Sequence, residues 1–140
     1  MGDTLATGRA LAQQLCAGPA GVQVWGGETT LQLPPDPGRG GRNQSLALSA
    51  ALALQGRDDV WLLAAGTDGS DGPTEDAGAL VDGATVARGQ VDDLDAQRCL
   101  DRADAGSFLE ASGDLIHTGP TGTNVMDVRL LLIQPKPKTR

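Results

Sequence analysis

The sequence predicts an α/β fold: a three-layer sandwich around a mixed, roughly six-stranded sheet, closed by an antiparallel C-terminal strand pair. Three observations predict it. Val60-Trp-Leu-Leu-Ala-Ala65 is an unbroken apolar run bounded by polar residues, which suits a central strand covered on both faces. Just before it, Asn43 to Gln55 places Leu46, Ala50 and Leu54 on one helical stripe, widened by Leu48 and Leu52. The chain then closes on a second strand-like run, Val125 to Ile133, reached through a tight glycine loop that suits antiparallel pairing with Asp114 to His117. Helical and strand patterns alternate along the chain, as layered α/β domains require.

In order, Asp3 or Thr4 caps a first helix with Leu5, Leu11, Ala12 and Leu15 on one face, stopped by Gly18-Pro19. Val22 to Trp25 reads as a strand ending at Gly26-Gly27. Thr30 to Leu33 reads as another, ended by Pro34-Pro35. A glycine-rich loop, Pro37 to Arg42, runs directly into the helix at Asn43. After the central strand comes the loop Gly66 to Gly72. Thr74 to Val81 and Thr85 to Arg88 read as short helical pieces, and Asp92 caps a helix through about Leu100. Ser107 and Glu110 have the spacing of a capping box for a further helix. Residues 1–134 form one domain, and 135–140 a basic flexible tail.

Length and composition bound the function. A chain of 140 residues suits one domain that needs neither disulfide nor metal to fold. Gly and Pro together make up 28 residues, a fifth of the chain, short of the share that marks low-complexity disorder. Aromatic residues are Trp25, Trp61 and Phe108 only, and the net charge is -7. Both argue against a nucleic-acid partner. The charge is uneven: residues 58–127 hold fifteen acids against three arginines, and residues 128–140 hold four basic residues and no acid. Cys16 and Cys99 lack a CxxC spacing and read as buried thiols of a cytoplasmic protein. No signal peptide or membrane span is expected.

Chemistry concentrates in the glycine loops, the usual geography of a ligand crevice in an α/β sheet. In Gly38-Arg39-Gly40-Gly41-Arg42-Asn43 the glycines admit a close ligand, Arg39 and Arg42 offer forked donors, and the following helix offers free N–H groups to an anion. The plainer alternative is a surface turn with solvated arginines. It is not a P-loop, having no GxxxxGK[ST] pattern. In Gly66-Thr67-Asp68-Gly69-Ser70-Asp71-Gly72, Asp68 and Asp71 are candidate oxygen ligands for a divalent cation, and Thr67 and Asp68 candidates for substrate contact; the alternative is a stack of Asx turns. Thr121, Thr123 and Asn124 of the third loop offer hydroxyl and amide groups, or simply make a hairpin. Glu28 is a carboxylate at a strand end. His117, the single histidine, has no Ser or Cys at a recognisable spacing and reads as a packed residue rather than a base.

Taken in order, Gly26-Gly-Glu-Thr-Thr30, Gly38-Arg-Gly-Gly-Arg-Asn-Gln44, Gly66-Thr-Asp-Gly-Ser-Asp-Gly-Pro-Thr74 and Thr118-Gly-Pro-Thr-Gly-Thr-Asn-Val125 resemble the MOFRL domain. That is the C-terminal domain of the glycerate 2-kinases, a family also labelled hydroxypyruvate reductase. The resemblance covers nearly the whole chain. It implies a partner N-terminal domain, Rossmann-like and carrying a catalytic Lys, on the same or a separate chain. It implies transfer of the γ-phosphoryl of ATP to the 2-hydroxyl of D-glycerate with Mg²⁺, in a cleft between the domains. On that picture Arg39, Gly40, Gly41, Arg42 and Asn43 face the cleft with Thr67, Asp68, Thr121, Thr123 and Asn124. Arg42 stabilises charge in the reaction, and Asp68 and Asp71 lie near the metal. The sequence departs from the family pattern at Arg102-Ala-Asp-Ala-Gly-Ser-Phe108, where Ala103 and Ala105 replace Asn and Ser. This chain alone is expected to be inactive as a kinase. A stand-alone small-molecule module (for an anion or nucleotide) and an interaction module are the alternatives.

Overall fold

The computed structural model describes residues 2–91 and 93–135. The elements run α1 (Thr4–Ala17), β1 (Gly21–Gly26), α2 (Arg42–Leu54), β2 (Val60–Gly66), β3 (Gly78–Asp82), α3 (Thr85–Gly89), α4 (Ala96–Asp101), α5 (Ala105–Ser112), β4 (Leu115–Ile116) and β5 (Asp127–Ile133). The five strands lie in the order β1-β5-β2-β3-β4, and every pairing between them is antiparallel.

The α/β class stands, but the sheet differs from expectation in detail. Among the described residues it has five strands rather than six, and their pairing is antiparallel rather than mixed. Thr30–Leu33 forms no strand: Thr30 makes a single bridge to Asp3, and Pro34-Pro35 cannot donate to a ladder. Residues 78–82, read as helical, form β3. The short apolar run fits either period, and the ladder to β2 decides it. Gly78 permits that ladder, because a Cβ there would collide with the carbonyl oxygen of Ala64. No C-terminal strand pair forms. β5 inserts between β1 and β2, while β4 pairs with β3. Non-local pairing of this kind leaves no local mark in the sequence.

The helices cover one face of the sheet, so the sandwich has two layers. Val60, Leu62, Ala64, Ala79, Val81, Leu131 and Ile133 point into the core beneath them. Each leucine fully buried there contributes about 1.5–3 kcal/mol. On the opposite face Trp61, Leu63 and Leu130 are half-buried, and Val22, Val24, Leu80 and Leu132 are exposed. The central strand is therefore covered on one face only. α2 is the hub, with Ser45 to Ala51 buried without interruption. It packs on α1, β2 and β3 and touches α5. That explains its near-continuous small and apolar sequence.

Caps fall close to expectation at the start and shift later. Asp3 caps α1, its carboxylate accepting from the N–H of Ala6 at 2.8 Å. α4 is capped by Asp95; Asp92 and residues 136–140 of the expected tail lie outside the described residues. The Ser107–Glu110 capping box does not form, because Ser107 donates to Asp104 and Glu110 pairs with Arg39. Cys16 is half-buried and Cys99 buried, and both are free thiols.

Candidate functional site

The glycine loop before α2 and the loop after β2 meet at the N-terminal end of α2, and the third loop packs on the second. Asp71, only 3% exposed, reaches across from the loop after β2. Its carboxylate accepts from the backbone N–H of Asn43 at 2.9 Å and of Gln44 at 2.8 Å, and from Asn43 Nδ2 at 3.3 Å. Gly41 makes this approach possible, since a Cβ there would lie 2.5 Å from the backbone of Asp71. Asp71 thus supplies the helix cap that Gly41 cannot. The N–H groups expected to meet an external anion are taken by an internal carboxylate. Burial pushes the Asp71 carboxyl above its usual range, against these hydrogen bonds.

The two arginines of the loop have different fates. Arg39 is locked: Nη1 donates to Glu110 at 2.6 Å and Nη2 to Asp76 at 3.0 Å. The bond to Asp76 is the main cause of its raised pKa. Its backbone N–H also donates to Asp104 at 2.8 Å. Arg42 is held loosely. Its Nη2 lies 3.5 Å from both Glu28 Oε1 and Asp127 Oδ2, at the long limit of such contacts. Its side chain, 39% exposed, borders a cleft of about 390 Å³. The walls are Gly38, Gly40, Gly41 and Gly72 with Leu31, Leu33, Pro37, Pro73 and Ala103. Such a surface offers backbone and apolar contact with one loosely paired cation at the rim.

The other two loops are laced together. Thr67 Oγ1 donates to the carbonyl of Met126 at 2.7 Å and accepts from the N–H of Val125 at 2.8 Å. Thr121 Oγ1 donates to the carbonyl of Thr67. The backbone of Thr123 folds back onto Thr121, and Asn124 Oδ1 accepts from the N–H of Met126 at 3.0 Å. Asp68 accepts from the N–H and hydroxyl of Ser70, which hold its pKa below the usual value. Thr67 and Thr121 thus join loop to loop, whereas the side chains of Asp68 and Asn124 bond within their own loops, and none of these five residues lines the cleft beside Arg42. Asp68 and Asp71 are not gathered into a cation site. Among the described residues no group of three or more His, Cys, Asp or Glu is placed to hold a metal. Asp71 is committed to α2 and is therefore not free to act as the expected cation ligand.

Sequence reasoning missed two members of the site. Asp127 and Arg129 lie on the packed face of β5, each 5% exposed, where an apolar residue is the norm. Their signal is the breaking of the strand's apolar phase at two alternate positions. His117 is exposed rather than packed, its Nδ1 3.8 Å from Asp76 Oδ1. It lines two further clefts beyond Pro73–Glu75. Ala103 adopts a left-handed φ of 53° at the cleft wall, a conformation that costs Ala more than the Asn of the family pattern.

Comparison with known proteins agrees with the resemblance. The model of the MOFRL family matches residues 21–127. The chain is 49% identical over 110 residues to a D-glycerate 2-kinase of Thermotoga maritima, covering 79% of this chain and 26% of the relative. It is 46% identical over 118 residues to human glycerate kinase, covering 79% of this chain and 22% of the relative. It is 44% identical over 117 residues to a putative hydroxypyruvate reductase of Agrobacterium vitis, covering 83% and 30%. The crystal structure of the Thermotoga maritima glycerate kinase superimposes with a TM-score of 0.90 at 41% identity, covering 94% of this chain and 34% of that one. The chain thus spans between about a fifth and a third of the length of these relatives. Among the described residues no helix is long and apolar enough to cross a membrane. With the family model matched over more than half its length, the chain belongs to the MOFRL family.

Proposed function

We propose that this chain is the C-terminal domain of a glycerate 2-kinase and forms one wall of the cleft in which ATP phosphorylates D-glycerate to 2-phosphoglycerate. The relatives' names support the reaction class, and their greater length supports a partner N-terminal domain, on the same or a separate chain. The observation that carries the reading is Arg42: a loosely held guanidinium at the rim of a glycine-lined cleft. Phosphoryl transfer is positioning plus neutralisation of charge. Arg42 is the group here that can turn to a carboxylate or phosphoryl oxygen, the backbone of Gly40 and Gly41 lines the cleft beside it, and Asn43 braces the helix behind them. Arg39 does not bind substrate; it ties the loop to Asp76 and α5. Thr67 and Thr121 tie the loop of Asp68 to the loop of Thr123 and Asn124, away from the cleft beside Arg42. The two free cysteines fit a cytoplasmic setting.

One wall forfeits much of the orientation effect, worth as much as ~7–11 kcal/mol in well-organised sites. The chain alone is therefore inactive as a kinase. Coupled detection of ADP release with D-glycerate and Mg-ATP tests this, and robust turnover by the pure chain would refute it. Stabilisation by glycerate or nucleotide in a thermal-shift screen, without activity after addition of an N-terminal domain, would favour a stand-alone binding module.

A further inference from the structure

Arg129 is an anomaly on the packed face of the sheet. It is 5% exposed, yet its Nε and Nη2 have no hydrogen-bond partner among the described residues. A buried guanidinium in that state is costly. Two positions earlier on the same face, Asp127 is equally buried, and its Oδ2 also lacks a hydrogen-bond partner. That oxygen lies 3.5 Å from Arg42 Nη2, while Oδ1 accepts from Asn43 Nδ2 at 3.1 Å. Same-face neighbours on a strand stand roughly 6.6 Å apart, within reach of an arginine side chain. Burial lowers the pKa of Arg129, and Asp127 acts against that shift. An unsatisfied acceptor therefore has two cations in its neighbourhood: one buried with spare donors two positions along the strand, the other half-exposed at the cleft.

We infer that Arg129 is a positioning residue that takes over Asp127 when Arg42 turns outward to an anionic oxygen of a ligand, carboxylate or phosphoryl. The inference rests on the anion role of Arg42 proposed above. Without Arg129, release of Arg42 would strand a buried carboxylate, so Asp127 would hold Arg42 back. With it, release exchanges one guanidinium for another. Arg39 is held by the shorter contacts to Glu110 and Asp76 and stays in place.

The test is a double-mutant cycle on the full chain, read first by unfolding in urea without ligand. Arg42→Ala alone is expected to cost little, because Arg129 closes on Asp127. Arg42→Ala with Arg129→Met is expected to raise the unfolding constant at least about tenfold beyond the product of the single effects. Adding Asp127→Asn is expected to remove that excess. The second readout is binding of inorganic phosphate by NMR titration. Arg129→Met is expected to weaken it about tenfold, and Arg129→Met with Asp127→Asn to return it to within about threefold of wild type. A merely structural arginine would not be rescued by Asp127→Asn. Should Arg129→Met fail to fold, Arg129→Lys keeps the charge, loses the fork, and enters the same cycle. Additive unfolding effects overturn the inference. Coupled unfolding with no phosphate binding by the wild type refutes instead the anion role of Arg42.

Discussion

Asp71→Ala separates a capping carboxylate from a metal ligand. Asp71 receives two backbone N–H groups of α2 at 2.9 and 2.8 Å and the Asn43 amide at 3.3 Å, at a position 3% exposed to solvent. Removing the carboxylate strands both N–H groups at the start of the central helix. Loss of an N-cap costs about 0.5–2 kcal/mol, and an unsatisfied buried donor about 1–3. Burial already costs the carboxylate its solvation and pushes its pKa up, which offsets part of this. The net loss is about 2–4 kcal/mol. For a chain of this length that lowers Tm by roughly 7–14 °C. Asp71→Asn keeps one acceptor oxygen and is expected to lose about half as much. Urea unfolding with unchanged slope measures both, and millimolar Mg²⁺ is expected to leave the wild-type midpoint unmoved. A loss below about 0.5 kcal/mol, or a Mg²⁺ stabilisation abolished by the substitution, would refute the capping role.

Further predictions follow from the same geometry. The folded state raises the Asp71 pKa above the unfolded value of about 3.9. Its contribution to stability is therefore full below that value and lost as pH rises through the folded pKa. Urea midpoints across pH 3.5–7 should show this falling component in wild type and not in Asp71→Asn. Arg39→Ala should destabilise by about 0.5–2 kcal/mol, the sum of two partly exposed ion pairs. Arg42→Ala should cost less and abolish phosphate binding, which thermal melts and NMR titration separate. Ala103→Asn relieves a left-handed residue and should stabilise by up to about 1 kcal/mol in the same melts.

What was legible in the sequence was local. The α2 stripe, the apolar run of β2 and the Asp3 cap are written in spacing and composition, and the structure reproduces them. The glycine loops announce close approach, and Gly41 against Asp71 is such a contact. What was hidden was partnership at long range. Asp71 caps a helix that starts 29 residues earlier, at Arg42, and Glu110 occupies Arg39 from 71 residues away. β5 displaces the expected hairpin because its neighbours come from distant parts of the chain. Arg129 alternates with apolar residues on both sides of its strand, so spacing alone does not tell which face it takes. Only the one-sided cover of the sheet shows that its face is the packed one.

The most direct test of the central claim is kinase activity in a reconstituted cleft. In the Thermotoga maritima glycerate kinase, the third of the chain that superimposes on this one would be replaced by the present sequence, and ADP release followed with D-glycerate and Mg-ATP. The hybrid is expected to turn over, this chain alone is not, and Arg42→Ala but not Arg39→Lys is expected to remove most of the turnover. A folded hybrid with no activity, or one indifferent to Arg42→Ala, would contradict that claim.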